Sequence, residues 1–237
     1  MHVLVTNDDG FFAPGLAELA ASLASLGHRV TVIAPETNWS GKSQSIVFER
    51  DLTARRFHDA VVRDAFILDA APADCVRVAE ALTDAPLDLV AVGVNHGANI
   101  GRDVYRSATV GAAREAVLRG HPALALSAVH GRVEPETLTF HLPRLMDLAL
   151  RRSDVIVNVN LPVRSLSEPV MAVLADQAIA EIPEAQPTDR SEALRITMRR
   201  VPTGTPAPET DVALIAEKRV SVVFLSASMK EAAPLPA

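Results

Sequence analysis

Two adjacent carboxylates, Asp8 and Asp9, sit near the start of this chain of 237 residues, in the run Asn7-Asp8-Asp9-Gly10. Side by side they repel each other unless a cation lies between or beside them. Three further runs carry small oxygen groups: Asn38-Trp39-Ser40-Gly41, Asn95-His96-Gly97 with Asn99, and Ser107-Ala108-Thr109. Carboxylate, hydroxyl and amide oxygens are the ligands of hard divalent ions, Mg²⁺ and Mn²⁺ foremost and Ca²⁺ also. Asp8 and Asp9 therefore read as the anchor of a one-metal site, with Ser40 and Asn95 as neutral ligands. Ser107 and Thr109 open a helical pattern, whose free N–H groups and positive dipole end form a seat for phosphate. Each run also has a plainer reading, as an Asx turn, a helix cap or a loop amide that satisfies backbone.

Position is what joins the runs. Val3-Leu4-Val5 is an apolar strand that stops at Asn7. Pro14 opens a helix through Leu16, Leu19, Leu23 and Leu26 that Gly27 closes. Val30 to Ala34 is a second strand, Leu87 to Val94 a third, Ala123 to Ser127 a fourth and Val155 to Val159 a fifth, with helices over Ala108–Leu118 and Leu138–Leu150. This alternation predicts a doubly wound, mostly parallel α/β sheet over residues 1–162. Ligands bind such sheets beyond the carboxyl ends of the strands, and Asp8–Asp9, Ser40 and Asn95 lie just past three of them. Ile46-Val47-Phe48 and Phe66-Ile67-Leu68 predict a β-hairpin insertion over about 45–69. Residues 163–237 form a β-rich extension suited to an oligomer contact, with strand-like runs at Met171–Leu174, Leu194–Met198 and Val220–Leu225. The tail from about 232 is expected to be disordered.

Composition narrows the partners. With 23 Lys and Arg against 29 Asp and Glu, the formal charge is −6, which disfavours nucleic acid and anionic membranes. An anionic small molecule would need local positive charge, which a bound cation supplies. Cys75 is the one cysteine, so an intrachain disulfide and a cysteine-rich zinc site are excluded, and its helical pattern makes it a packing residue. The N-terminus has no basic, cleavable apolar leader and no stretch long enough to span a bilayer, so a cytoplasmic location is expected. Gly41-Lys42-Ser43 resembles the tail of a phosphate-binding P-loop, but Glu36 stands where its first glycine belongs. No G-x-G-x-x-G or H-E-x-x-H spacing occurs.

In order along the chain, Asn7-Asp8-Asp9-Gly10, Ala13-Pro14-Gly15, Ala34-Pro35 with Asn38 and Ser40-Gly41, Pro72-Ala73-Asp74-Cys75-Val76, Gly93-Val94-Asn95-His96-Gly97 with Asn99, and Asn158-Val159-Asn160-Leu161-Pro162 resemble the SurE family of survival-protein nucleotidases. The resemblance implies a divalent-metal-dependent phosphatase acting on nucleoside 5′- and 3′-monophosphates, built as a homodimer or homotetramer through C-terminal β-structure. It implies metal ligands at Asp8, Asp9, Ser40 and Asn95, and phosphate contacts at Asn99, Ser107 and Thr109. The chain departs from the pattern at Arg106 and Ala108, where the family has Tyr and Gly, and at Lys218-Arg219, where it has Gly-Tyr. Metal-oriented water is favoured over an aspartyl nucleophile, because a carboxylate engaged by metal attacks poorly. The alternatives are a nucleotide-binding regulator with weakened turnover and a transferase using a nucleotide-linked donor.

Overall fold

The structure is a computed structural model that describes residues 1–58, 62, 64–176, 179–188 and 193–228. The tail expected to be disordered lies outside the described residues.

The main sheet is built from β1 (His2–Thr6), β2 (Arg29–Pro35), β3 (Ala54–Phe57), β4 (Asp64–Leu68), β5 (Leu89–His96), β6 (Ala123–Ala128), β7 (Val155–Leu161), β8 (Val170–Met171) and β11 (Ser221–Ser226). Its order is β3-β4-β2-β1-β5-β6-β7-β11-β8, and β4, β2, β1, β5, β6 and β7 run parallel. The chain winds outward from β1 through β2 to β4, then returns and winds the other way from β5 through β6 to β7. The order thus reverses between β1 and β5, the place where such sheets open a ligand crevice. The expected doubly wound α/β sheet is what forms.

Both faces of the sheet are covered, so its central strands are apolar without alternation. Helix α1 (Pro14–Ser25) and α5 (Pro135–Arg151) lie with one core cluster, in which Leu16, Leu19, Leu23, Leu138, Leu142 and Leu145 are buried. On the other face α2 (Pro72–Arg77), α3 (Ala79–Leu82) and α4 (Ala108–Leu118) bring in Cys75, Val76, Val110 and Ala113. Cys75 is a fully buried packing residue, as its pattern suggested, and burial pushes its thiol pKa up.

The hairpin differs from expectation. Ile46-Val47-Phe48 is not a strand: the Val47 N–H donates to the buried Asp74 carboxylate at 2.9 Å, and Glu49 takes a left-handed φ of 62°. Those two features turn the chain before a ladder can start. The hairpin's first strand is β3, antiparallel to β4, and β4 is itself a parallel neighbour of β2. The second arm of the expected insertion is therefore part of the main sheet. Beyond residue 162 the chain divides. β11 extends the sheet antiparallel to β7, whereas β9 (Ile179–Pro187) and β10 (Leu194–Pro202) pair with each other apart from it.

Gly15 fixes how closely α1 approaches the reversal point. A Cβ there would stand 2.0 Å from the Val94 carbonyl oxygen of β5, closer than any contact allows. Gly15→Ala is accordingly expected to destabilise the fold by about 2 kcal/mol, the scale of overpacking, measured by urea unfolding. An unchanged midpoint would show that α1 is free to shift.

Candidate active site

The turn after β1 is built to present two carboxylates in different directions. The Asn7 side chain donates to the Gly10 carbonyl at 3.0 Å, closing the turn, and the Phe11 N–H bonds the Pro35 carbonyl at 2.7 Å. Asp8 is 3% exposed and Asp9 half-buried. The Thr109 hydroxyl donates to Asp8 Oδ1 at 2.6 Å across 101 residues of sequence, and the Thr109 N–H reaches the same carboxylate. Asp8 therefore sits at the positive end of α4.

Asp9 is held by two other strand ends. Its Oδ2 accepts the His96 N–H at 2.9 Å and its Oδ1 accepts the Asn38 side-chain amide at 3.3 Å. The turn carrying Ser40 is drawn in at two points: the Trp39 N–H bonds the Asp8 carbonyl at 2.7 Å, and the Ser40 N–H bonds Asn38 Oδ1 at 2.8 Å. Asn95, 9% exposed, donates to the Gly97 carbonyl at 2.7 Å. Its other amide atom, Oδ1, has no donor among the described residues. The loops bearing Asp8, Asp9, Ser40 and Asn95 are thus brought together.

The donor set suits a hard cation. No group of three or more His, Cys, Asp or Glu fit to hold a metal occurs among the described residues. The loops that come together instead carry two carboxylates, an amide and a hydroxyl, all oxygen donors of the kind Mg²⁺ and Mn²⁺ take. Asn7 Oδ1, beside Asp8 in sequence, is buried with no hydrogen-bond partner, and Asp8 is buried against Asp9. Both are marks of a site short of positive charge.

The expected phosphate contacts fall less simply. Thr109 is fully buried and its hydroxyl is engaged by Asp8, so its part in the site is played through Asp8. Ser107 caps α4, its Oγ accepting the Val110 N–H at 3.1 Å. Asn99, 5% exposed, donates its amide to Ser127 Oγ at 2.8 Å. Its backbone is clamped, the N–H by Asn160 Oδ1 at 2.8 Å and the carbonyl by the amides of Asn158 and Asn160 at 2.9 and 3.0 Å. Arg106 is held in an exposed ion pair with Glu181 at 2.6 Å.

Sequence reasoning gives no role to Asn158, Asn160, Ser127 or Asp211. Asp211, fully buried at the start of α6 (Asp211–Ala216), accepts the N–H groups of Gly101, Ala175 and Val212. The C-terminal stretch thereby grips the loop that carries Asn99. Burial raises the Asp211 pKa, and the three N–H groups oppose that shift. Polar residues inside an otherwise apolar strand, as at Asn158 and Asn160, are the available signal.

Fold and site together define a class: a Rossmann-like α/β protein with an acidic, oxygen-donor centre at the strand-order reversal. The sequence model of the family described as survival protein SurE matches residues 3–184. The 5′-nucleotidase SurE of Methylococcus capsulatus is 44% identical over 167 residues, 68% of this chain and 64% of that protein. The protein of the same description from Thermosynechococcus vestitus is 37% identical over 188 residues, 76% of this chain and 70% of that protein. The crystal structure of the SurE protein from Aquifex aeolicus superposes with a TM-score of 0.82 at 28% identity, covering 97% of this chain and 95% of that one. The chain belongs to the SurE family.

Burial, followed by the nearby Asp9 charge, raises the Asp8 pKa from 3.8 to about 6, while the bonds from Thr109 oppose the rise. A carboxyl whose folded pKa exceeds its unfolded one costs stability once it ionises. In the metal-free protein this cost is absent below about pH 4 and complete above about pH 6, reaching about 3 kcal/mol. Asp8→Asn is therefore expected to raise the melting temperature of the metal-free protein at pH 7.5 and to leave it nearly unchanged at pH 4. Thermal unfolding in chelator at both pH values checks this, and a lower melting temperature at pH 7.5 would contradict it.

Proposed function

We propose that the chain is a divalent-metal-dependent phosphatase that hydrolyses nucleoside 5′- and 3′-monophosphates to nucleoside and phosphate. The observation that carries this reading is the convergence of Asp8, Asp9, the Ser40 turn and Asn95 at the reversal of strand order, in a chain whose relatives are described as 5′-nucleotidases. Asp8, Asp9, Ser40 and Asn95 would hold the ion. When bound, it supplies positive charge that polarises a phosphoryl oxygen.

Phosphoryl transfer asks the protein mainly for positioning and charge stabilisation. The Ala108 N–H and the Ser107 hydroxyl, at the first turn of α4, would meet phosphoryl oxygens, with Asn99 held by its backbone on the neighbouring loop. Thr109 aims Asp8 and opposes the rise that burial causes in its pKa. Arg106 is occupied by Glu181, so its charge does not crowd the phosphate. A cytoplasmic location belongs to the same reading, since a single buried cysteine suits a reducing compartment.

We also assign the β9–β10 arm to self-association, as a homodimer or homotetramer. In its register Leu194, Ile196 and Met198 face Pro187, Ala185 and Pro183, which makes one side of the ribbon apolar. The first three are 63%, 56% and 53% exposed in the isolated chain. A two-stranded ribbon with such a face is marginal alone, and a second copy would cover it. Ile196→Asp is expected to shift the protein to monomer in light scattering after size exclusion; a wild type already monomeric would refute the assignment.

The functional test is phosphate release from a panel of nucleotides with Mg²⁺, Mn²⁺ or chelator. Release is expected only with metal, and Asp9→Asn is expected to lower kcat/KM by roughly a hundredfold or more. Activity that survives both chelator and the substitution would overturn the proposal.

A further inference from the structure

The turn that presents Ser40 is pinned at both ends. The Lys42 N–H closes it on the Trp39 carbonyl at 3.2 Å, and Gly41 takes φ 75° at its third position, as a type II turn requires. Before it the Trp39 N–H bonds the Asp8 carbonyl at 2.7 Å. After it Ser43, at a left-handed φ of 53°, gives its N–H to the Arg106 carbonyl at 2.9 Å and its hydroxyl to the Tyr105 carbonyl at 2.8 Å. Standard backbone dimensions then put the Lys42 Cα within about 8 Å of the Ser107 nitrogen, where α4 opens. A lysine side chain spans about 6 Å. Three cations flank the candidate site, and two are taken, Arg106 by Glu181 and Arg132 by Glu18. Lys42 is exposed and has no carboxylate partner among the described residues. Its ammonium lies over the Trp39 ring, 4.6 Å from the centroid.

We propose that Lys42 is a substrate-binding residue, whose ammonium leaves the Trp39 ring and pairs with phosphoryl oxygens seated at the start of α4. The inference rests on the phosphatase reading and adds the charge with which this chain captures the phosphate. The count of charges carries it. A divalent ion beside Asp8 and Asp9 cancels the charges of the two carboxylates. A phosphate dianion then meets no net countercharge at the centre of a protein whose formal charge is −6. The free N–H groups of α4 offer only a partial one. Lys42 is fixed by its backbone within reach of that position. Its place over Trp39 is easily left, because an exposed cation–π contact is weaker than a charge-assisted bond to phosphate. The move breaks no ion pair, whereas Arg106 would have to abandon Glu181.

Trp39 is the one tryptophan of the chain, so its emission reports whether Lys42 stays over the ring. The test titrates inorganic phosphate into the Mg²⁺-loaded protein and follows that emission in wild type, Lys42→Met and Lys42→Arg, beside the kinetics with adenosine 5′-monophosphate. Phosphate is expected to change the emission of wild type and to leave that of Lys42→Met nearly unchanged. Lys42→Met should bind phosphate about tenfold more weakly and raise KM by a similar factor, with kcat much less affected. Lys42→Arg, which keeps the charge, should retain most of the affinity. Added salt should raise KM in wild type and do so less in Lys42→Met. Mn²⁺ affinity should be the same in all three proteins, because Lys42 holds no part of the ion's site. Phosphate affinity and KM unchanged in Lys42→Met overturn the inference, as does a loss of Mn²⁺ affinity that accounts for the change. Should no nucleotide be hydrolysed, the phosphatase reading fails, and the phosphate titration still decides whether Lys42 binds the anion.

Discussion

Everything at the functional end of this molecule depends on keeping the Asp8 charge in a buried position at the reversal of the sheet. A carboxylate nearly out of water is tolerated only with compensating dipoles or charge. Helix α4 provides part of that, through the Thr109 hydroxyl and N–H aimed at Asp8. The proposed cation would supply the remainder. Helix α4 is set close to the chain before it because Gly111 lets its axis approach: a Cβ there would stand 2.8 Å from Gln44 backbone. Ser43, next to it, bonds the Tyr105 and Arg106 carbonyls, so the Ser40 turn, the loop after β5 and the start of α4 form one connected assembly.

The second layer of that assembly comes from far along the chain. Asn158 and Asn160 on β7 and Asp211 on α6 all address residues 99–101. The loop between β5 and α4 would otherwise be a long surface connection of the mobile kind. Its backbone is gripped instead by three buried side chains, two amides and a carboxylate. The C-terminal third thus reaches the site without supplying any of the expected metal ligands, and it sends its arm, β9–β10, outward.

Much of this is legible in the sequence because short apolar runs ending in polar turns report buried parallel strands directly. Asp8, Asp9, Ser40 and Asn95 stand out as the oxygen-bearing residues just past the strand ends, and the structure does draw their loops together. The bond from the Thr109 hydroxyl to Asp8 is not legible there, for a physical reason. A hydroxyl at a helix N-terminus suits phosphate and carboxylate alike, and only the tertiary fold reveals that Asp8 is the nearer anion. The start of the hairpin is hidden because Ile46-Val47-Phe48 has strand composition, and the side chain that diverts it, Asp74, lies 27 residues away. Lys218 explains one departure from the family pattern in structural terms. It takes φ 58° at the end of α6, where its N–H bonds the Ile215 carbonyl and that of Arg219 bonds Leu214. A glycine, the family's residue at this place, adopts such a left-handed position without strain.

At the centre stands the proposal of one site for a divalent ion, which Asp8, Asp9, Ser40 and Asn95 would form. Titration of Mn²⁺ into the metal-free protein, monitored by the loss of the free-ion paramagnetic resonance signal, tests it without reference to turnover. One ion is expected to bind per chain, to be released by competing Mg²⁺, and to be lost in both Asp9→Asn and Asn95→Ala. Binding of the same stoichiometry and affinity in those two variants would contradict the assignment.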